Sequence, residues 1–436
     1  MHNSLPVIKK NREADQRLAG TMNERRTTLR WLLVLTALLD IHAASPPVVA
    51  VLWTIGLFLP PSTRLQLGQE VKLKEDCQRI TDDDDSLFVY DDSDDITQCD
   101  YRLATKIFSS VADGSRRSSA ATTVWFPRLP KTKALNNLIE IIDKNHHMLG
   151  IDHVSILGWP EHPCTGIRWR ATTTAAASSS DEIRADRVVI ETEESSRQSA
   201  IQDTEHWVTN TLCKLGLCPY TYSLQRAPVG LDTAGVKEGP IVVRLSSSDN
   251  INSPEMFSTP AAGLAKSFWA GVTELAERPE EEVATLLIVA PTYDDELKFL
   301  EFCRVFDELL EPSVQATGSE ALVGRAIFHP SYSSEIVGHK SVKPGHALPA
   351  DMVGGFVDRY LEAGADKPNL DAIAQANDQV RWTPHATINL LRRSQLTAAK
   401  EVEALSQNKR PNWIYAKNVL RLIRFGEKKH ASVPKD

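Results

Sequence analysis

Apolar residues recur at helical spacing in "SSRQSAIQDTEHWVTNTLCKLG", where Ile201, Val208, Leu212 and Leu215 share one face. Serines precede the run as caps and Gly216 follows as a stop, so the stretch predicts a helix. Beyond it the pattern alternates. "GPIVVRLS" predicts a strand, "TPAAGLAKSFWAGVTELAE" a helix opened by Thr259-Pro260, and "VATLLIVAP" a buried strand. "DDELKFLEFCRVFDELLEP" predicts a helix whose apolar positions include Leu297, Leu300, Phe306 and Leu309, and "ALVGRAIFHP" a third strand. Helices are then expected near "MVGGFVDRYLEA", "QLTAAKEVEALS" and "WIYAKNVLRLIRF". Strands alternating with helices predict an α/β (or α+β) domain, a layered sheet, over residues 188–425, with 426–436 as a tail.

Residues 63–187 lack that regularity. They carry the acidic tract Asp82 to Asp95, a Ser/Arg patch and the run "ATTTAAASSSDE", which predict a mostly disordered, acidic, low-complexity linker. One island, "KALNNLIEIIDKNHHMLGI", has helical periodicity and is expected to dock on the folded part. Residues 1–62 form a targeting, signal or anchor segment. From Met22 a basic stretch (Arg25, Arg26, Arg30) precedes an apolar run from Trp31 to Leu39 and small residues at Ala43, Ala44 and Ser45. The competing reading joins 31–60 into one membrane anchor, although Asp40, His42 and Pro46-Pro47 interrupt it. Entry into the secretory pathway or membrane anchoring is expected, with plastid targeting as the alternative.

Composition narrows the partners. Of 436 residues 42% are hydrophobic and 24% charged, as in a folded core, and the formal net charge of -8 offers no basic surface for a phosphate backbone. No nucleic acid is expected. Six cysteines are too few for a disulfide scaffold in a chain of this length.

Three stretches carry candidate chemistry. In "NTLCKLGLCPYTYS", Cys213 falls near the helix end as a small buried residue, whereas Cys218 lies past the Gly216 stop in a turn fixed by Pro219. Neither this pair nor His339, His346 and His385 has the spacing of a metal site, and none is expected. His329 ends an apolar strand, the end at which open α/β sheets bind ligands, and an imidazole there suits acid–base work. Arg392 and Arg393 precede Ser394 at a helix start, where guanidinium and free N–H groups suit an anion. The acids Asp294, Asp295 and Glu296 are explained by helix capping.

Together these stretches resemble the uncharacterised domain-of-unknown-function family 1415, over about residues 191–405. The residues that carry the resemblance are Trp207, Val208, Leu215, Leu217, Cys218, Pro219 and Tyr220, then Phe328, His329, Pro330 and Tyr332. Thr383, Pro384, His385, Thr387, Leu390, Leu391 and Arg392 complete it. Asn389 stands where the family has His, Arg393 where it has Glu, and Trp382 where it has Arg. The family brings no activity, so the resemblance bears on fold and on the choice of residues. The expectation is that Cys218 and His329 act catalytically, with Arg392, His385, Tyr332 and Asn389 binding a small anionic ligand. The chemistry would be Cys/His-assisted group transfer or hydrolysis, with no cofactor specified. The alternative is a noncatalytic binding or scaffold domain tethered to a membrane through residues 31–60.

Overall fold

The computed structural model describes residues 87–88, 100–114, 121–126, 133–158, 165–171, 198–247, 259–338, 341–362, 364–405 and 413–431. The chain divides into 1–80 and 81–436, and every described residue lies in the second unit. Its first half contains strand β1 (Leu87–Phe88), helix α1 (Asp100–Gly114), β2 (Ala121–Phe126), α2 (Lys133–Lys144), β3 (Ile151–Gly158) and β4 (Thr165–Ala171). Next come α3 (198–213, its end a π-helical turn at Val208–Cys213), β5 (Ile241–Leu245), α4 (Pro260–Glu277), β6 (Thr285–Val289) and α5 (299–316, with a π-helical turn at Val305–Leu310). The chain continues through β7 (Val323–Phe328), α6 (Ala350–Tyr360), α7 (Leu370–Gln379), β8 (Thr387–Arg392), α8 (Arg393–Leu405) and α9 (Trp413–Ala431).

The expected layered α/β arrangement is present, built on a mixed sheet ordered β5-β6-β8-β7. Strands β5 and β6 run parallel, joined by α4 as a crossover, and β8 runs antiparallel to both β6 and β7. β6 lies inside the sheet and is buried at all five positions, which is why "TLLIV" reads as an unbroken apolar run. Leu286, Ile288, Ile327, Ile388 and Leu390 belong to the core formed with α4 and α5. Gly271 on α4 lets that helix sit close, since a Cβ there would stand 3.0 Å from both Leu286 and Leu390. Ile241, Val243, Leu287 and Val289 pack instead with Ala200 and Val208 of α3. Helices α6, α7 and α9 make a separate apolar cluster through Val353, Val357, Ile373, Ala416 and Val419, and Leu217 joins it.

The stretch expected to be linker is only partly so. Residues 87–171 include α1, α2 and a second sheet ordered β1-β2-β4-β3. Leu103, Ile107, Phe108 and Val111 of α1 are buried in the same core as α4, and the Phe108 ring stacks on Trp269 at 6.2 Å. Ion pairs Lys266–Asp113 (2.6 Å) and Arg102–Glu277 (2.6 Å) flank that contact. The acidic and Ser-rich tracts lower the average hydrophobicity of the whole stretch and hide the i, i+4 apolar spacing of its helices. The α2 island docks as expected, with Leu135, Leu138 and Ile142 buried. Most of the acidic tract, the Ser/Arg patch and residues 172–187 lie outside the described residues, as do 1–62 and 432–436. Among the described residues no helix is long and apolar enough to cross a membrane.

Candidate functional site

Register places the carboxyl ends of β5, β6 and β7 at one edge of the sheet with the amino end of β8. Leu245 pairs with Val289, and both Val289 and Phe328 pair with Thr387. Ligands in open α/β sheets bind at this edge. Three segments leave it: Ala290 to Asp294 after β6, His329 to Tyr332 after β7, and Thr383 to Ala386 before β8.

Asp294 joins the first of these to the third. Its Oδ1 accepts the Ala386 backbone N–H at 2.7 Å, and its Oδ2 meets His385 Nδ1 at 2.5 Å. With Nδ1 so held, the other ring nitrogen is the one left to act. His385 Nε2 is shielded from solvent and has no hydrogen-bond partner among the described residues. The Asp203 carboxylate of α3 approaches it at 3.6 Å, an ion-pair distance too long for a hydrogen bond, and Asp203 also accepts from Ser199 Oγ at 3.1 Å. The hydrogen bond that Asp294 accepts raises the His385 pKa above the ordinary 6.5 against the opposing effect of burial, with Asp203 adding to the rise. His385 therefore favours the imidazolium form, a cation with a fixed orientation and one donor unspent.

His329 is the opposite case. Its side chain is fully buried, with Nε2 bonded to the Tyr293 carbonyl at 2.7 Å and Nδ1 accepting the Ser331 N–H at 3.0 Å. These contacts select the neutral tautomer protonated at Nε2, and burial pushes its pKa down. Phe299 and Phe302 cover the ring at centroid distances of 4.8 and 5.9 Å. Neither ring nitrogen is left for a substrate in this arrangement.

Cys218 follows the Gly216 stop, and the turn that carries it is tied to α9, where Asn418 Nδ2 donates to the Leu217 carbonyl at 2.5 Å and Arg421 Nη1 to that of Leu215 at 3.0 Å. Among the described residues no hydrogen bond or ring contact joins Cys218 to His329. Arg392 is at the far end of β8, five residues or roughly 17 Å from Thr387 at the usual strand rise. Its guanidinium donates to the carbonyls of Leu275, Arg278 and Val283, closing the end of α4. Tyr332 is buried beside Phe299, and its hydroxyl accepts the Ala347 N–H at 2.9 Å and stands 3.4 Å from His346 Nδ1. His346 Nε2 in turn meets Asp307 at 2.8 Å, and burial pushes the Tyr332 hydroxyl up to about 12. Asn389, paired across the ladder with Leu287 and Ala326, keeps a buried Oδ1 with no hydrogen-bond partner among the described residues.

The fold thus gathers His385 and His329 around the Ala290–Asp294 segment, with Tyr332 nearby through Phe299, and sets Arg392 at the opposite end of β8. Asp294 and Asp203 were not among the sequence candidates. Asp295 does cap, accepting the Leu297 N–H at 2.9 Å, so the capping explanation holds for Asp295 and not for its neighbour Asp294. The separation of 91 positions between Asp294 and His385 leaves no local pattern to reveal the pair.

Residues 199–341 match the family described as protein of unknown function (DUF1415). The match spans α3 to just past β7 and so contains the Cys218 and His329 motifs, while His385, Asn389 and Arg392 lie beyond it. No curated protein and no solved structure matches the chain.

Proposed function

We propose that the sheet edge is an acid–base site for a small molecule, with His385 transferring the proton in a hydrolytic or group-transfer step. The observation that carries this reading is the His385 ring itself, held through Nδ1 by Asp294 while Nε2 is buried and, among the described residues, has no hydrogen-bond partner. A carboxylate that orients a histidine and favours its charged form is the arrangement general acid catalysis needs. An imidazolium N–H suits an oxygen acceptor on the ligand, such as a carboxylate, phosphate or polarised carbonyl. The ligand would take up the donor that Asp203 approaches only at 3.6 Å. Cys218 has no place in this scheme, and His329 acts only by shaping the Tyr293–Asp294 segment.

A noncatalytic reading has an observation of its own. Asp294 also accepts the Ala386 N–H, so the pair could serve purely to pin the β6 loop to β8. A panel of activated carboxylic esters, phosphate esters and amides, assayed with the wild-type chain and with His385→Gln, separates the two. Turnover lost by at least about 100-fold in the variant, the usual scale for a general acid or base, supports catalysis. Equal turnover in wild type and variant sinks it, and no turnover of any class by the wild type leaves the pinning role.

A further inference from the structure

Asn389 is a second polar group that the sheet leaves unspent. Its Oδ1 is buried and has no hydrogen-bond partner among the described residues. Side chains directly opposite in a ladder share a face, so Asn389 lies on the side of Leu287, which packs with Ala200 and Val208 of α3. Alternation puts Thr387 on that side as well, and its partner Phe328 meets the Trp207 ring of α3 at 5.8 Å. One turn before Trp207, on the same helical stripe, is Asp203, the carboxylate that approaches His385 Nε2. Helix α3 therefore flanks the route along β8 from His385 towards Asn389. Farther along this face α8 takes over, since a Cβ on Gly324 would collide with Leu396. Between the two helices Ala326 and Asn389 are only half-buried, although β8 is an inner strand. Ala326 sets no more than a methyl group opposite the amide.

His385 and Asn389 offer opposite valences, a donor at one and an acceptor at the other. Four residues of chain separate them, at most about 14 Å when extended. An amide oxygen takes an N–H or O–H donor and does not hold an anion, so the two ends of a shared ligand must differ. The Asn389 amide also carries N–H donors beside its oxygen, and this pairing matches the edge of a carboxamide or lactam. Trp207 and Phe328, beside the interval, suit a flat apolar ring. We propose that the site takes an elongated small acid whose far end bears a carboxamide or lactam, with Asn389 as the residue that selects that end. The amide N–H donates to Asn389 Oδ1 and gives a buried oxygen the partner it lacks. The acidic oxygen accepts from His385 Nε2, so this end of the proposal rests on the reading of His385 as a donor.

The probes are benzoic, phenylacetic, phenylpropanoic and phenylbutanoic acids with a para carboxamide. Each is paired with the para methyl ester, which keeps the carbonyl and lacks the N–H. They are titrated by calorimetry into the full-length chain. For at least one length the amide should bind about tenfold tighter than its ester, the scale of one hydrogen bond to an otherwise unpaired group. Asn389→Leu should bring the two within about twofold by weakening the amide alone, and Asn389→Ala gives the same comparison if the leucine variant does not fold. His385→Gln should weaken amide and ester alike and leave the preference intact. An amide preference that survives in the Asn389 variants overturns the proposal, as does a wild type that binds neither series or binds both equally. A preference that depends on Asn389, with binding unchanged in His385→Gln, upholds the amide end and refutes the reading of His385 as the donor to the acid.

Discussion

Replacing Asp294 with Asn tests the electrostatics of the sheet edge. Asn keeps an oxygen to accept the Ala386 N–H but removes the charge beside His385 Nδ1, and its amide donor favours a neutral ring with Nδ1 as acceptor. The side chains of His385 and Asp294 are 19% and 28% exposed, so the pair is mostly sheltered from solvent. A hydrogen bond to a charged group in such a setting contributes about 1.5–3 kcal/mol, and the remaining exposure favours the lower part of that range. Losing it, at about 1.5 kcal/mol, should lower the folded His385 pKa in the variant. The folded pKa is raised, so this stability is fully present below the unfolded value near 6.5 and disappears as pH rises through the folded pKa. Urea unfolding of wild type and variant should therefore differ more at about pH 5.5 than at about pH 9. Histidine NMR titration should show one ring in the wild type with an elevated pKa that Asp294→Asn lowers. A stability difference that is constant with pH, or larger at alkaline pH, would refute the reasoning.

Phe108→Ala should destabilise the chain by about 3–5 kcal/mol in urea, because the ring fills the core against Trp269. A linker residue would cost at most about 0.5 kcal/mol. Arg392→Met leaves the carbonyls of Leu275, Arg278 and Val283 without their donor and should cost about 1–3 kcal/mol of stability. The same variant should leave ligand affinity at the sheet edge within about twofold, since a contribution under about 0.5 kcal/mol changes affinity by little more; calorimetry with any ligand found there checks this. His329→Leu strands the Tyr293 carbonyl and the Ser331 N–H, and a loss of about 1–3 kcal/mol is expected. Because burial lowers the folded His329 pKa, the wild type should lose stability as pH falls below about 6.5 and the leucine variant should lack that component; identical acid limbs in urea titrations would contradict the assignment.

Much of the domain was legible before its structure. The α3 stop at Gly216, the Thr259-Pro260 opening of α4 and the unbroken apolar β6 each rest on contacts within a few residues, which local pattern records. Thr259 does cap, accepting the Ala262 N–H at 3.2 Å. Leu297 and Leu300 show the limit. They fit the helical period of α5 yet are exposed, because α5 begins only at Phe299 and its buried face runs through Phe299, Phe302 and Phe306. The β8 strand was harder still, since its pairing with β6 and β7 comes from residues roughly sixty to a hundred positions away.

The candidate residues divide in the same way. Sequence singled out Cys218, His329 and Arg392 by residue type and by position at element ends, and His385, Tyr332 and Asn389 through the family resemblance. It could not say which polar atoms would be spent on the backbone. His329 and Arg392 have theirs committed to carbonyls and an amide, whereas His385 Nε2 and Asn389 Oδ1 do not. Hydrophobic period and turn chemistry are properties of neighbours in the chain, so the order and type of the elements from α3 onward followed from sequence alone except for α7 and β8. Whether a histidine is a neutral brace or a charged donor depends on which carboxylate and how much solvent the folded chain brings to it. For His385 that partner is Asp294, placed there by the antiparallel return of β8 beside β6, and only the tertiary structure decides it.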